Sequence, residues 1–334
     1  MSILVRPARA GDAVGIAKVH VETWRTAYRS LVDADHLAQL SVERSAGRWA
    51  PRIGVLGEFL FVAEESGTII GFCHGGPNRG SEPPYRGELY SLYVLEEQQR
   101  RGVGRRLILA LAEALQAASL GSMIVWVLTD NPSRRFYEKL GGRLVGSKPV
   151  TIGAKTLEET GYGWTGLEAL LDLRVRIVVY DPRWPAMYEE ERARLTGALG
   201  GAVAEIQHVG STAVPGLGAK PVIDILLGVR RYPLDASQVE ALLSLGYEDL
   251  GESGIAGRRF FRKGVPRTHH VHATVLGGSF WTSHLRFRDH LRSDPGALRD
   301  YDRLKRRLAQ ECGDDRAAYT DAKAGFIQAI LGSA

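Results

Sequence analysis

A strand, a glycine turn and a helix follow one another between residues 89 and 118, and this junction constrains the fold more than any other stretch. Leu89-Tyr90-Ser91-Leu92-Tyr93-Val94-Leu95 is an apolar, strand-like run. Gln99-Arg100-Arg101-Gly102-Val103-Gly104 follows, and a strongly helical run extends from Arg105 to Ala118. The first turn of a helix leaves backbone N–H groups unpaired, and the helix dipole favours negative charge there. Gly102 and Gly104 allow an anion to approach the backbone closely, and the flanking arginines stay charged at any physiological pH. The junction therefore reads as a phosphate or pyrophosphate site.

A chain of 334 residues, 44% apolar and 24% charged, predicts two domains with buried cores. Residues 1–167 carry 20 Lys and Arg against 17 Asp and Glu, and the remainder carries 23 against 21. That even spread gives no basic face and argues against a nucleic-acid partner. Cys73 and Cys312 fit a reducing compartment without structural disulfides. Residues 1–15 contain Arg6, Arg9 and Asp12 and lack a signal-peptide core. No apolar run approaches the ~18 residues needed to span a bilayer. The expectation is a cytoplasmic protein without a membrane partner; a homodimer stays open.

In the first half, Ile3-Leu4-Val5-Arg6-Pro7 reads as a strand, and a helix then carries Ile16, Val19, His20 and Trp24 at helical spacing. Trp24 and Tyr28 are either core packing or the lining of a substrate pocket. Residues 59–63 and 68–74 form a hairpin across Ser66-Gly67. Residues 78–86 are a loop. After the long helix, residues 123–128 are a buried strand, and Asn131-Pro132 open a short helix with Phe136 and Tyr137 that stops at Gly141-Gly142.

These residues resemble the GCN5-related N-acetyltransferases (GNAT). The resemblance rests on Glu88-Leu89-Tyr90-Ser91-Leu92-Tyr93-Val94, on Gln99-x-x-Gly102-x-Gly104, and on Asn131-Pro132-Ser133-x-x-Phe136-Tyr137. Thr23-Trp24-Arg25-x-Ala27-Tyr28 and residues 159–164 add to it. The resemblance implies a mixed sheet with splayed central strands over residues 1–167, and acetyl-CoA as cosubstrate. It places the cofactor's pyrophosphate on Gln99, Arg100, Arg101, Gly102, Val103, Gly104 and Arg105. It places the pantetheine arm on the backbone of Leu92 to Val94 and on Asn131. Tyr137 would then donate a proton to the leaving thiolate. Trp24, Tyr28 and the loop at residues 78–86 suggest a small amine such as an antibiotic, polyamine or amino acid as acceptor, and a protein N-terminus stays open. Acyl transfer needs a neutral amine, so a base is required; Glu88 is the candidate, with a structural salt bridge as its alternative.

In the second half, Val175-Arg176-Ile177-Val178-Val179-Tyr180 reads as a strand after a short connector at residues 165–173. A helix follows to Leu199. Lys220-Pro221-Val222-Ile223-Asp224-Ile225-Leu226-Leu227 is a buried strand with one carboxylate, which is costly unless paired. Gly210-Ser211 upstream offers its backbone to a phosphate. Residues 286–290 and the helix from Pro295 to Glu311 read as solvated and amphipathic.

This half resembles the GrpB (UPF0157) family over residues 208–217, 220–224, 268–272 and 287–289, with Tyr319, Lys323 and Phe326. The resemblance implies a nucleotidyltransferase-like α/β domain over residues 172–334. Its site would gather His208, Gly210, Ser211, Lys220, Asp224, His270 and His272, with Lys305 as a further phosphate contact. The ligand would be a nucleotide with Mg²⁺. Nucleotidyltransferases place a second carboxylate two positions after the first, and here that position is Leu226. The departure favours an auxiliary binding role over nucleotidyl transfer. His270 and His272 share a strand face with one another. A His–Asp set can hold a transition metal, but clustered histidines are commonly hydrogen-bonded polar groups, so no metal site is assigned.

Overall fold

The computed structural model describes residues 3–80 and 84–332, and the chain divides into two compact units, Met1–Leu173 and Arg174–Ala334. Part of the expected loop at residues 78–86 thus lies outside the described residues. The first unit runs β1 (Leu4–Pro7), α1 (Ala13–Ala27), α2 (Ala34–Ala38), α3 (Val42–Trp49), β2 (Phe59–Glu65), β3 (Thr68–Pro77) and β4 (Gly87–Val94). It continues through α4 (Val103–Ala117), β5 (Met123–Leu128), α5 (Arg134–Lys139), β6 (Arg143–Ile152), β7 (Lys155–Trp164) and α6 (Glu168–Leu171). The sheet order is β1-β2-β3-β4-β5-β7-β6, with β4 and β5 its parallel pair. Leu107, Ile108, Leu111 and Leu115 of α4 recur at helical spacing and bury against the sheet with Cys73, Leu89 and Val125.

The parallel pair is short. Its register runs Gly87–Met123, Glu88–Ile124 and Leu89–Val125, and ends there although both strands continue. The cause is local. Between β3 and β4 the register shifts at His74/Gly75, so Tyr90 is an extra residue on β4. A bulge bends and twists the strand that carries it. The bend falls where β4 parts from β5, so the two strands open a wedge in the sheet.

The connector at residues 165–173 is more than a linker. Leu167 and Leu170 are fully buried in the first core, which carries that unit to Leu173. Residues 175–180 are not a strand either. Val178 makes only an isolated bridge to Ala219, and Val179 is 76% exposed. An apolar run becomes a strand only where a neighbour offers a ladder, and here one residue finds one.

The second unit contains α7 (Trp184–Leu199), β8 (Val203–Val209), β9 (Ile223–Val229), α8 (Ala236–Ser244), β10 (Tyr247–Asp249), β11 (Arg258–Lys263) and β12 (His269–Val275). Helices α9 (Ser279–Ser293), α10 (Pro295–Cys312), α11 (Arg316–Asp321) and α12 (Ala324–Gly332) follow. Its sheet order is β10-β11-β12-β9-β8, with β12 and β9 parallel. Ile223, Ile225, Leu227, Val271 and Ala273 point to one face and pack with Trp184, Tyr188 and Leu195 of α7. Strand alternation sends Asp224, Leu226, His270 and His272 to the other face, where Trp281 of α9 packs on Leu226 and Val209.

Candidate functional site

In the first unit, the wedge between β4 and β5 opens into a cavity of about 630 Å³. Its walls include Trp24 of α1 and Tyr28 just after that helix, Tyr90 to Val94 of β4, and Val125 to Leu128 of β5. The turn contributes Gln99, Arg100, Gly102, Val103, Gly104 and Arg105, and the next crossover contributes Asn131, Phe136 and Tyr137. Gly102 caps α4 with φ +80°, a left-handed conformation that costs a residue with a Cβ roughly 1–2 kcal/mol. Gly102 to Arg105, the residues that open α4, line the cavity, and the first-turn N–H groups of a helix have no partner within it. Gln99 holds the turn to the strand, its side-chain amide donating to the Val94 carbonyl at 3.2 Å. Asn131 is buried, and its Oδ1 accepts the Ser133 N–H at 2.9 Å, which fixes the start of α5.

Aromatic hydroxyls cluster at the inner end. Trp24 Nε1 donates to the Tyr93 hydroxyl at 3.0 Å, and Tyr28 hydrogen-bonds to Tyr93 and Asn131. Burial pushes the Tyr137, Tyr28 and Tyr93 hydroxyls above the ordinary tyrosine range, so all three stay protonated near neutral pH. Glu159 of β7, opposite Leu128 in register, also lines the cavity. Burial raises its carboxyl pKa.

Two residues expected here point elsewhere. Arg101 is outside the cavity lining; its guanidinium pairs with Glu65 at 2.7 Å on the surface. Glu88 sits in the paired segment of β4, before the wedge begins, and does not line the cavity. Its carboxylate accepts the Arg79 guanidinium at 2.6 Å and the Arg79 backbone N–H at 2.9 Å. Arg79 also covers the Tyr90 ring at 3.8 Å. The geometry is that of a structural ion pair, and among the described residues Glu159 is the carboxylate that lines the cavity. Glu159 carries no sequence signal beyond its place at the start of the 159–164 match.

In the second unit ladder alternation removes one member, His208, from the expected set. Asp224 Oδ1 accepts His270 Nδ1 at 3.0 Å and lies 3.7 Å from His272 Nε2. Burial works to raise the Asp224 carboxyl, but the His270 hydrogen bond and the His272 imidazole beside it hold it well below the carboxylate range. Gly210 adopts φ +70°, and a Cβ there would strike the Asp224 carboxylate. His208 is opposite Ile225 and therefore on the other face. It stacks on Tyr188 with ring centroids 4.7 Å apart, and its Nε2 bonds Thr212 at 3.0 Å. Alternation excludes it from the Asp224 set.

A group of lysines borders the Asp224 cluster, and the Asp224 charge acts on Lys323. Lys305 is 2% exposed and donates to Ser211 Oγ at 3.0 Å and to the Gly218 carbonyl. Burial lowers its pKa to about 7. Lys220 and Lys323 lie over the Tyr319 ring at 4.9 and 4.5 Å. The residues read as a solvated helical face include Arg288, which is instead buried: it donates to Gln207 Oε1 at 2.7 Å and to the His208 carbonyl at 2.9 Å, tying α9 to β8. Leu226, at the second carboxylate position, is fully buried beneath Trp281.

Comparison with known proteins assigns both halves. The acetyltransferase (GNAT) family matches residues 20–142, and the GrpB protein family matches residues 174–333. The chain is 39% identical over 171 residues to the uncharacterized N-acetyltransferase YuaI of Bacillus subtilis, covering 51% of this chain and 98% of that protein. It is 34% identical over 163 residues to the glutamate-rich protein GrpB of Alkalihalophilus pseudofirmus, covering 47% of this chain and 94% of that one. The crystal structure of GrpB from Enterococcus faecalis is 37% identical, covers 47% of this chain and 96% of its own, and superposes with a TM-score of 0.43. The first half of this chain thus belongs to the GNAT acetyltransferases, and the second half belongs to the GrpB family.

Proposed function

We propose that the first unit transfers the acetyl group of acetyl-CoA to the amine of a small molecule, within the wedge between β4 and β5. The observation that carries this reading is convergence: the glycine turn, the unpaired inner edge of β4, Asn131 and Tyr137 all line one cavity. The first-turn N–H groups of α4, with Arg100 and Arg105 beside them, suit a pyrophosphate. The edge of β4 around Leu92 to Val94 suits an amide-bearing arm, which would complete the ladder that β5 leaves open.

Bound acetyl-CoA supplies an acyl carbon and a thiolate leaving group. The acceptor nitrogen forms the new C–N bond as the C–S bond breaks. Glu159 faces the acceptor end with Trp24 and Tyr28; it attracts an ammonium ion and takes its proton, directly or through water. Tyr137, kept protonated by burial, donates a hydrogen bond to the departing thiolate. Tyr93 is held by Trp24 and fixes the aromatic wall. The acceptor is read as a small amine because the wall is aromatic and enclosed by α1.

In the second unit, Ser211, Lys220, Lys305 and Lys323 are proposed to receive an anionic group such as the phosphate of a nucleotide, in a binding rather than a transferring role. Buried Leu226 favours this over nucleotidyl transfer with Mg²⁺, because a two-metal site needs a carboxylate there.

Thermal denaturation with and without acetyl-CoA tests the first reading: a stabilisation that Gly102→Val abolishes is expected, and no shift with the unaltered chain refutes it. ATP with Mg²⁺, followed for pyrophosphate release, tests the second; steady release by the full chain contradicts a pure binding role.

A further inference from the structure

We propose that Asp224, His270 and His272 form a binding site for one first-row divalent transition metal, of which Zn²⁺ is the probe. The site belongs to the second unit and is independent of the acetyl-transfer reading. Three donor atoms, one from each residue, lie within 4.8 Å of one another, on two adjacent parallel strands. Two distances report the spacing: 3.0 Å from Asp224 Oδ1 to His270 Nδ1 and 3.7 Å to His272 Nε2. Ligands about 2.0–2.1 Å from a tetrahedral ion sit roughly 3.3 Å apart, and the two observed separations bracket that edge.

The sheet geometry makes the set rigid. Asp224 and His270 are register partners across the β9–β12 ladder, and His272 is two residues on, so all three share the face away from the α7 core. Phe260 of β11 stacks on His272 with centroids 5.0 Å apart and meets His270 edge-on at 5.1 Å, which holds both rings upright. The site remains reachable, since the Asp224 side chain is 30% exposed and the imidazoles 17% and 14%.

A metal there would engage the two ring nitrogens that already face Asp224, His270 Nδ1 and His272 Nε2. Here His270 Nε2 and His272 Nδ1 are buried without a hydrogen-bond partner, while the remaining nitrogen of each ring is turned to the same carboxylate oxygen. Both rings thus turn one nitrogen to a single oxygen, Asp224 Oδ1, and the three donor atoms form one cluster. Two imidazole nitrogens and one carboxylate oxygen are a borderline donor set, which selects Zn²⁺, Co²⁺ or Fe²⁺ over Mg²⁺ or Ca²⁺. Three protein ligands leave a coordination position for water or an anionic oxygen.

The test uses the full chain stripped with a chelator. Zn²⁺ is titrated in competition with a chromophoric chelator, and Co²⁺ is followed by its visible absorption. One tight equivalent per chain is expected, with a Co²⁺ band of four- or five-coordinate intensity. The double variant His270→Gln, His272→Gln should weaken that equivalent roughly 100-fold or more, as loss of two of three ligands requires. Circular dichroism and thermal denaturation of the metal-free variant establish that it folds. A measurement on the unaltered chain guards against a misfolded variant: the imidazole ¹⁵N resonances of His270 and His272 should shift on adding Zn²⁺. Absence of a tight equivalent overturns the proposal, as does binding that the folded double variant retains or that leaves both imidazoles unmoved. Mg²⁺ displacing Zn²⁺ at comparable concentration overturns the choice of metal class.

Discussion

The two units build their polar sites in opposite ways. The first opens a sheet: a bulge at Tyr90 parts β4 from β5, and backbone groups line the gap. The second keeps its sheet closed and sets side chains on one face, with Asp224 and His270 in register across an unbroken ladder. A site made of backbone is sensitive to chain conformation and tolerant of many side-chain changes. A site made of side chains on a sound sheet loses function when a side chain is removed but keeps its fold. The same contrast explains why Arg101 can turn away to Glu65 while the turn it belongs to still lines the cavity.

The largest effect expected from this contrast concerns Leu226. Leu226→Asp, which would restore the second carboxylate, buries a charge beneath Trp281 and should cost several kcal/mol. Loss of the second unit's unfolding transition in calorimetry is the expected outcome; a stable variant would show that this face accepts a second carboxylate after all. Gly102→Val comes next. Its left-handed φ should cost about 1–2 kcal/mol of stability and remove the acetyl-CoA thermal shift. A retained shift would mean that the turn's conformation is not what the cofactor reads.

Tyr137→Phe should lower kcat about 100-fold while the KM for acetyl-CoA stays within about twofold. Equal activity would remove Tyr137 from the chemistry and leave it a core aromatic. Acid should weaken both units. Burial lowers His20 in the first unit and His208 in the second to about 4, from an ordinary value near 6.5. The unfolded chain therefore binds more protons between these values. The stability is full above pH 6.5 and is lost as pH falls toward 4, by up to roughly 3 kcal/mol for each histidine. Melting curves at pH 7 and pH 4.5 should show both transitions fall; a pH-independent midpoint would contradict the burial of these rings. The smallest effect is Arg101→Ala. Its solvent-screened surface pair with Glu65 contributes little to stability, and KM for acetyl-CoA should stay within about twofold. A large KM increase would bring Arg101 back to the cofactor.

Much of this was legible in local patterns. Glycines before a helical run, an Asn-Pro helix start and alternation along β9 are short-range signals, and each fixes its own element because the cause lies within a few residues. The strand parity of Asp224, His270 and His272 follows from the same rule. Local signals alone were enough for the two-part organisation, the family of each half and the strand–turn–helix order around Gly102. The tertiary structure decided which groups meet. Glu88 lies before the wedge and is held by Arg79, so among the described residues Glu159, seventy-one positions later, is the carboxylate at the cavity. Ladder pairing sends His208 to the core face, away from Asp224. Residues 175–180 lack the neighbour that a strand requires. In each case the deciding partner is distant along the chain, and pairing, burial and charge act only once the fold has brought that partner near.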